Sequence, residues 1–174
     1  TAERVVVCLN TQDGSTVWRR EYLSAPFAKN RDNSYATSTP AVDAKRIYVY
    51  WTTREEIAVL AIDHAGKDVW RRNLGPFESR HGSGTSLIVV DDLVLVNNDQ
   101  EGPSFLAALD AASGATRWQL QRRTDNAAYS TPCIRQTPEG AREAILTSSG
   151  NGVTGVDLHT GRVYWELTNA FPFR

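Results

Sequence analysis

Apolar and polar positions along this chain repeat as a block. Four apolar runs stand out: Val5-Val6-Val7-Cys8-Leu9, Ile57-Ala58-Val59-Leu60-Ala61-Ile62, Phe105-Leu106-Ala107-Ala108-Leu109 and Val153-Thr154-Gly155-Val156. Each ends on an Asn or Asp: Asn10, Asp63, Asp110 and Asp157. A glycine follows within four residues (Gly14, Gly66, Gly114, Gly161), and a tryptophan four residues later (Trp18, Trp70, Trp118, Trp165). The block recurs roughly every 50 residues, a self-similarity that indicates stacked supersecondary units.

Each unit also holds further β-forming runs. Ahead of the second, third and fourth apolar runs lie Arg46–Tyr50, Leu93–Val96 and Glu143–Thr147, preceded in turn by Ser38–Val42, Thr85–Val89 and Ser130–Ile134. Behind the glycines lie Val69–Arg72, Thr116–Leu120 and Val163–Leu167. Four short strands per unit, separated by Gly, Asp, Asn and Pro, predict a four-stranded antiparallel blade. No stretch sustains a helical period.

The fold expected is therefore all-β, a partial β-propeller of about three and a half blades forming one domain over 1–174. The blades are expected near 1–22 (outer two strands only), 36–73, 84–121 and 129–168. Propellers typically have four to eight blades. Such an arc leaves its end blades without neighbours, so the expectation is a segment of a larger ring, or self-association that covers the ends.

The motif has a physical job. Asp or Asn hydrogen-bonds its own downstream amides, and Gly tolerates the positive φ of a tight turn. The second copy, Asp63-His64-Ala65-Gly66, is one residue shorter, so its turn should differ. The residue two before each Asx is small (Cys8, Ala61, Ala108, Gly155), which leaves room for an indole. A Trp buries a large area and keeps one N–H that needs an acceptor. Repeated in each blade, it would lock that blade to the next.

Composition narrows the field only a little. With 41% hydrophobic and 22% charged residues the chain is ordinary for a globular protein. A net charge of −1 gives no general attraction to nucleic acid or anionic membrane. No apolar stretch approaches the roughly 20 residues of a membrane helix. No methionine is present, so a processed or excised segment is expected, with any targeting sequence outside it. Cys8 and Cys133 are far apart and read as small buried hydrophobes; no CxxC or zinc-spaced cluster exists.

The run Ala108-Leu109-Asp110-Ala111-Ala112-Ser113-Gly114-Ala115-Thr116-Arg117-Trp118 resembles the tryptophan-docking motif of the PQQ-type, or quinoprotein-like, β-propellers. It recurs over Cys8–Trp18 and Gly155–Trp165, and shortened over Ala61–Trp70, so the resemblance covers almost the whole chain. Segments such as His81–Ser86 and Tyr129–Pro132 look like the PQQ-like repeat proteins of planctomycete-type bacteria. The chain is similar, too, to the propeller lipoprotein of the BAM complex, a non-enzymatic scaffold. The resemblance implies a periplasmic or otherwise extracytoplasmic scaffold, with protein partners or a cell-envelope polymer. It equally offers a PQQ-dependent dehydrogenase holding PQQ and calcium. The alcohol dehydrogenase type of that enzyme carries a vicinal Cys-Cys pair, which this sequence lacks. The expectation is a non-catalytic module with no cofactor, the alternatives being a fragment of a PQQ-dependent dehydrogenase and a carbohydrate- or polymer-binding propeller.

Ligand contacts, if any, are expected on loops that enter the first strand and link the second to the third. The entry loops are Lys29–Tyr35, Glu78–Gly82 and Arg123–Asn126; the linking loops are Trp51–Glu55, Asn97–Glu101 and Ser148–Asn151. Arg80, His81, Asn98, Asp99, Trp51 and Asn126 are the candidate ligand-binding residues. His81 offers a proton-transferring group or merely a backbone partner. Asn97–Glu101 carries oxygen ligands but not EF-hand spacing. Trp51 lies outside the docking series and would stack on a sugar or peptide, or pad its loop. The pairs Arg19-Arg20, Arg71-Arg72 and Arg122-Arg123 suit an exposed outer edge strand.

Overall fold

The computed structural model describes residues 2–26, 31, 34–124, 126–168 and 170. Its described residues form fourteen strands and no helix. β1 (Ala2–Leu9) and β2 (Thr16–Ser24) make a two-stranded sheet. Three four-stranded sheets follow in chain order. The first is β3 (Ala41–Val42), β4 (Arg46–Thr52), β5 (Ile57–Asp63) and β6 (Asp68–Asn73). The second is β7 (Ile88–Val90), β8 (Leu93–Asn98), β9 (Phe105–Asp110) and β10 (Thr116–Gln121). The third is β11 (Cys133–Gln136), β12 (Arg142–Ser148), β13 (Gly152–Asp157) and β14 (Val163–Leu167). Every strand pairs antiparallel with the next, so each sheet is a meander. The chain is an all-β arc of about three and a half blades.

The continuous apolar runs arise because the third strand of a blade is buried on both faces. In β5, Ile57, Val59 and Ala61 pack with Val94, Val96 and Ala107 of the following sheet. Ala58, Leu60 and Ile62 pack instead toward Val6, Trp18 and Tyr22 of the preceding one. β9 divides the same way: Phe105, Ala107 and Leu109 join the core shared with β5, while Leu106 and Ala108 join Ala144, Leu146 and Val156. Side chains alternate across a strand. A strand sandwiched between neighbours therefore needs apolar residues at every position, and the core is a series of inter-blade layers.

The first strand of each blade is shorter than the sequence suggested. β3, β7 and β11 begin only at Ala41, Ile88 and Cys133. The Ser/Thr residues ahead of them leave the ladder because their groups bond to the next blade. The Thr39 amide donates to Ser86 Oγ at 3.0 Å, and the Ser86 amide to Thr131 Oγ1 at 3.2 Å. Thr85 Oγ1 donates to the Ser130 carbonyl at 3.1 Å. These bonds form a belt of inter-blade contacts separate from the tryptophans.

Candidate functional site

The docking motif is a built joint. Asp110 Oδ1 accepts the Ala112 and Ser113 amides and the Ser113 hydroxyl, at 3.1, 2.7 and 2.7 Å. The Gly114 amide donates to the Asp110 carbonyl at 2.8 Å. Asp157 repeats the arrangement with His159 and Thr160. Hydrogen bonds from Ser113 and Arg117 hold the Asp110 carboxyl down at about 2. Asp157 is also lowered: burial raises it, but hydrogen bonds led by the Tyr164 hydroxyl outweigh that. The shortened second copy does differ. Its Gly66 amide reaches Asp63, three residues back, where the other copies reach four.

The indole is aimed by a bulge the sequence did not reveal. Cys8, Ala61, Ala108 and Gly155 face Trp18, Trp70, Trp118 and Trp165 across their hairpins. The register slips by one residue just before each Trp, leaving Val17, Val69, Arg117 and Tyr164 unpaired. A bulge of this kind bends the strand and re-aims the side chain that follows. The first three rings are turned onto the Asx turn of the next blade. Trp18 Nε1 donates to the His64 carbonyl, Trp70 Nε1 to Ala111 and Trp118 Nε1 to Leu158, all at 3.0 Å. The acceptor is each time the residue after the Asx. A Cβ on Gly66, Gly114 or Gly161 would fall within 2.6–2.8 Å of the docked ring.

The series is unfinished at both ends. Trp165 is 37% exposed, and among the described residues nothing lies within 4 Å of where a Gly14 Cβ would stand. Tyr164 and Leu167 are exposed beside Trp165; Val5, Val7, Leu9, Val17 and Leu23 are exposed on the first sheet.

On the loop face the structure separates the candidate ligand residues. Trp51 is not on a loop: it lies in β4, is 5% exposed, and stacks 5.6 Å from Tyr22 of the first sheet. Its position falls between two blades, which is why an apolar ring is needed there. Arg80 is exposed, with Glu101 at 3.7 Å. His81 is exposed, and its amide donates to Ser79 Oγ. Asn126 is half-buried on the turn made by Thr124 Oγ1. Lys29, Asn30, Asp32, Asn33 and Asp125 of the expected entry loops lie outside the described residues.

Asn98 and Asp99 are adjacent and buried. Asp99 is gripped by Arg122, with Nε to Oδ1 at 3.0 Å and the other carboxylate oxygen at 3.2 Å. The guanidinium also reaches Thr154 and Ser148 of the fourth sheet. Arg122 is thus a buried inter-blade bolt and not the exposed edge charge the Arg pairs suggested. Beside this pair is a closed pocket, too tight for a water molecule, lined by Tyr50, Phe77, Thr85, Asn97, Asn98 and Tyr129 among others. Asn97 Oδ1 and both amide atoms of Asn98 are buried in it without a hydrogen-bond partner.

The quinoprotein resemblance implies calcium and PQQ. Among the described residues no three His, Cys, Asp or Glu side chains come together to hold a metal. Cys8 and Cys133 are both free, but neither is the buried hydrophobe expected: Cys8 is half-buried and Cys133, on the first strand of its sheet, is exposed. No helix among these residues is long and apolar enough to cross a membrane.

Comparison with known proteins places this geometry. The chain matches BamB from Moraxella catarrhalis at TM-score 0.63 and 19% identity, covering 93% of this chain and 43% of that one. It matches the quinohemoprotein alcohol dehydrogenase of Comamonas testosteroni at TM-score 0.58 and 14% identity, covering 94% and 32%. A second quinohemoprotein alcohol dehydrogenase, from Pseudomonas putida HK5, matches at TM-score 0.60 and 16% identity, covering 94% and 31%. The chain thus spans less than half the length of each of these structures, and identities this low carry the fold alone. No curated protein matches the sequence. The family model described as outer membrane protein assembly factor BamB matches residues 2–174, and the chain belongs to that family of PQQ-like β-propeller repeats.

Proposed function

We propose that this chain is the arc of a non-catalytic propeller that serves as a rigid protein-interaction scaffold in the extracytoplasmic envelope. One observation carries the reading. Three inter-blade joints of the same kind are closed, while a fourth indole, Trp165, and a first turn, at Gly14, present the two unfilled halves of such a joint. These open halves sit among exposed apolar side chains, a pattern that marks protein contact surfaces. The partner they suit is protein: further blades of the same ring, a second copy, or an envelope partner. The family's description as an assembly factor for outer membrane proteins supports an envelope location.

The dehydrogenase reading draws on the fold shared with the quinohemoprotein enzymes. It needs a calcium donor set that the described residues do not assemble. The test is to add PQQ and calcium to the intact protein. A stoichiometric quinone absorbance together with alcohol-dependent dye reduction would overturn the scaffold reading. Their absence, with a photo-crosslink from position 165 to an identified envelope protein or a second copy, supports it.

A further inference from the structure

We propose that the cavity beneath Tyr129 is a binding site for a neutral polyhydroxylated group, such as a sugar ring. It lies at the junction of three complete blades, so it stands apart from the open ends that carry the scaffold reading. Its walls are Tyr50 of β4, Asn97 and Asn98 of β8, Phe77 and Thr85 from the loop before β7, and Tyr129 from the loop before β11.

The unused hydrogen-bonding groups define the ligand. Asn98 is 1% exposed, and neither its amide nitrogen nor its carbonyl oxygen has a partner. Asn97 is equally buried; its nitrogen donates to the Ser130 carbonyl at 3.2 Å, but its oxygen is unused. The Tyr50 hydroxyl is near Ser83 but outside hydrogen-bond geometry. Leaving such groups unsatisfied is costly, and native proteins do so rarely and usually for a reason. A hydroxyl both donates and accepts, so adjacent hydroxyls satisfy one amide donor and two carbonyl acceptors together. A carboxylate cannot donate to the two carbonyl oxygens, and a phosphate dianion has one hydroxyl for the two. Either would also be buried without a counter-charge, since Arg122 is already committed to Asp99. Phe77 and Tyr129 supply the aromatic walls against which the carbon face of a sugar ring packs.

The site is closed in this arrangement. With Tyr129 in place the cavity does not admit even a water molecule. The ring rests directly on Gly84, where a Cβ would fall 2.7 Å from Tyr129 Cδ1. Tyr129 itself is 44% exposed, so its ring has solvent into which to move. Entry of a ligand therefore requires displacement of one surface side chain.

The test is saturation-transfer NMR on the intact protein with methyl glucoside, using acetamide and inorganic phosphate as parallel probes. Transfer to the glucoside but to neither control is expected. Asn98→Leu should abolish it, or weaken binding at least tenfold, while the melting temperature stays level or rises because an unpaired amide has been removed. Three outcomes would each overturn the proposal: no transfer to the glucoside, transfer to acetamide or phosphate in its place, or a melting temperature several degrees lower in Asn98→Leu. The last would mean that the amide already has a structural partner.

Discussion

The six-membered ring of Trp118 lies flat against Gly161 of the following blade, so close that a Cβ there would be 2.6 Å from Trp118 Cε3. The same glycine has φ +72°. Two costs therefore fall on one substitution: a left-handed backbone that a side chain resists, about 1–2 kcal/mol, and overpacking against an indole, about 1–3 kcal/mol. Gly14 has almost the same φ, +73°, but faces open space. Gly161→Ala should therefore destabilise the protein clearly more than Gly14→Ala in urea unfolding. Equal effects would show that the close ring contact does not matter.

The tryptophans themselves should form a graded series. Trp118→Ala removes a half-buried ring and its hydrogen bond to Leu158, and should cost about 2–4 kcal/mol. Trp165→Ala removes a ring that is 37% exposed and docks on no further turn, and should cost less than about 1 kcal/mol. Thermal and urea unfolding of the two variants measure the difference. A Trp165 variant as damaged as the Trp118 variant would sink the docking account.

The sequence made the joint legible and hid its mechanics. Spacing alone exposed the four Asx–Gly–Trp blocks, because a joint repeated in each blade imposes its period on the chain. It could not show the bulges at Val17, Val69, Arg117 and Tyr164, since an unpaired residue in a hairpin leaves no compositional mark. Trp51 read as a loop residue because β4 runs one turn of the pleat further than its alternation suggested. Arg122 read as an exposed charge because its partner, Asp99, is distant in sequence and belongs to another strand connection. The loop-face candidates were similarly divided: Asn98 and Asp99 meet in one buried cluster, while Arg80 and His81 stay at the surface.

Acid should loosen the joints through the Asx turns. Asp110 has its folded value depressed to about 2, with the first cause the Ser113 hydrogen bond and the second Arg117. Asp157 and Asp43 are shifted the same way. A depressed carboxyl contributes stability that is fully present above its unfolded value, about 3.9. That contribution is lost as pH falls through the folded value. Stability should therefore be flat from pH 7 down to about 5 and decline between about 4 and 2 on account of these groups. Asp110→Asn should flatten part of that decline, read as the urea midpoint at each pH. An unchanged acid slope in this variant would remove Asp110 from the account.

Arg122 and Asp99 test whether the loop face is fastened or reactive. Both are buried, at 4% and 3% exposure; the pair lies within the third blade, and Arg122 reaches on to Thr154 and Ser148 of the fourth. Removing one partner strands the other as an uncompensated buried charge, so Arg122→Met should cost about 3–5 kcal/mol. Asp99→Leu alone should be damaging for the same reason. The double variant should recover much of the loss, because well-packed apolar replacements of a buried ion pair are often neutral. A double-mutant cycle in urea gives the coupling directly. Strong coupling assigns Asp99 to fixing Arg122 where it reaches the fourth blade and takes it out of the pool of groups free to meet a ligand. Additive single effects would return Asp99 to that pool and weaken the case that the neighbouring cavity is electrically neutral.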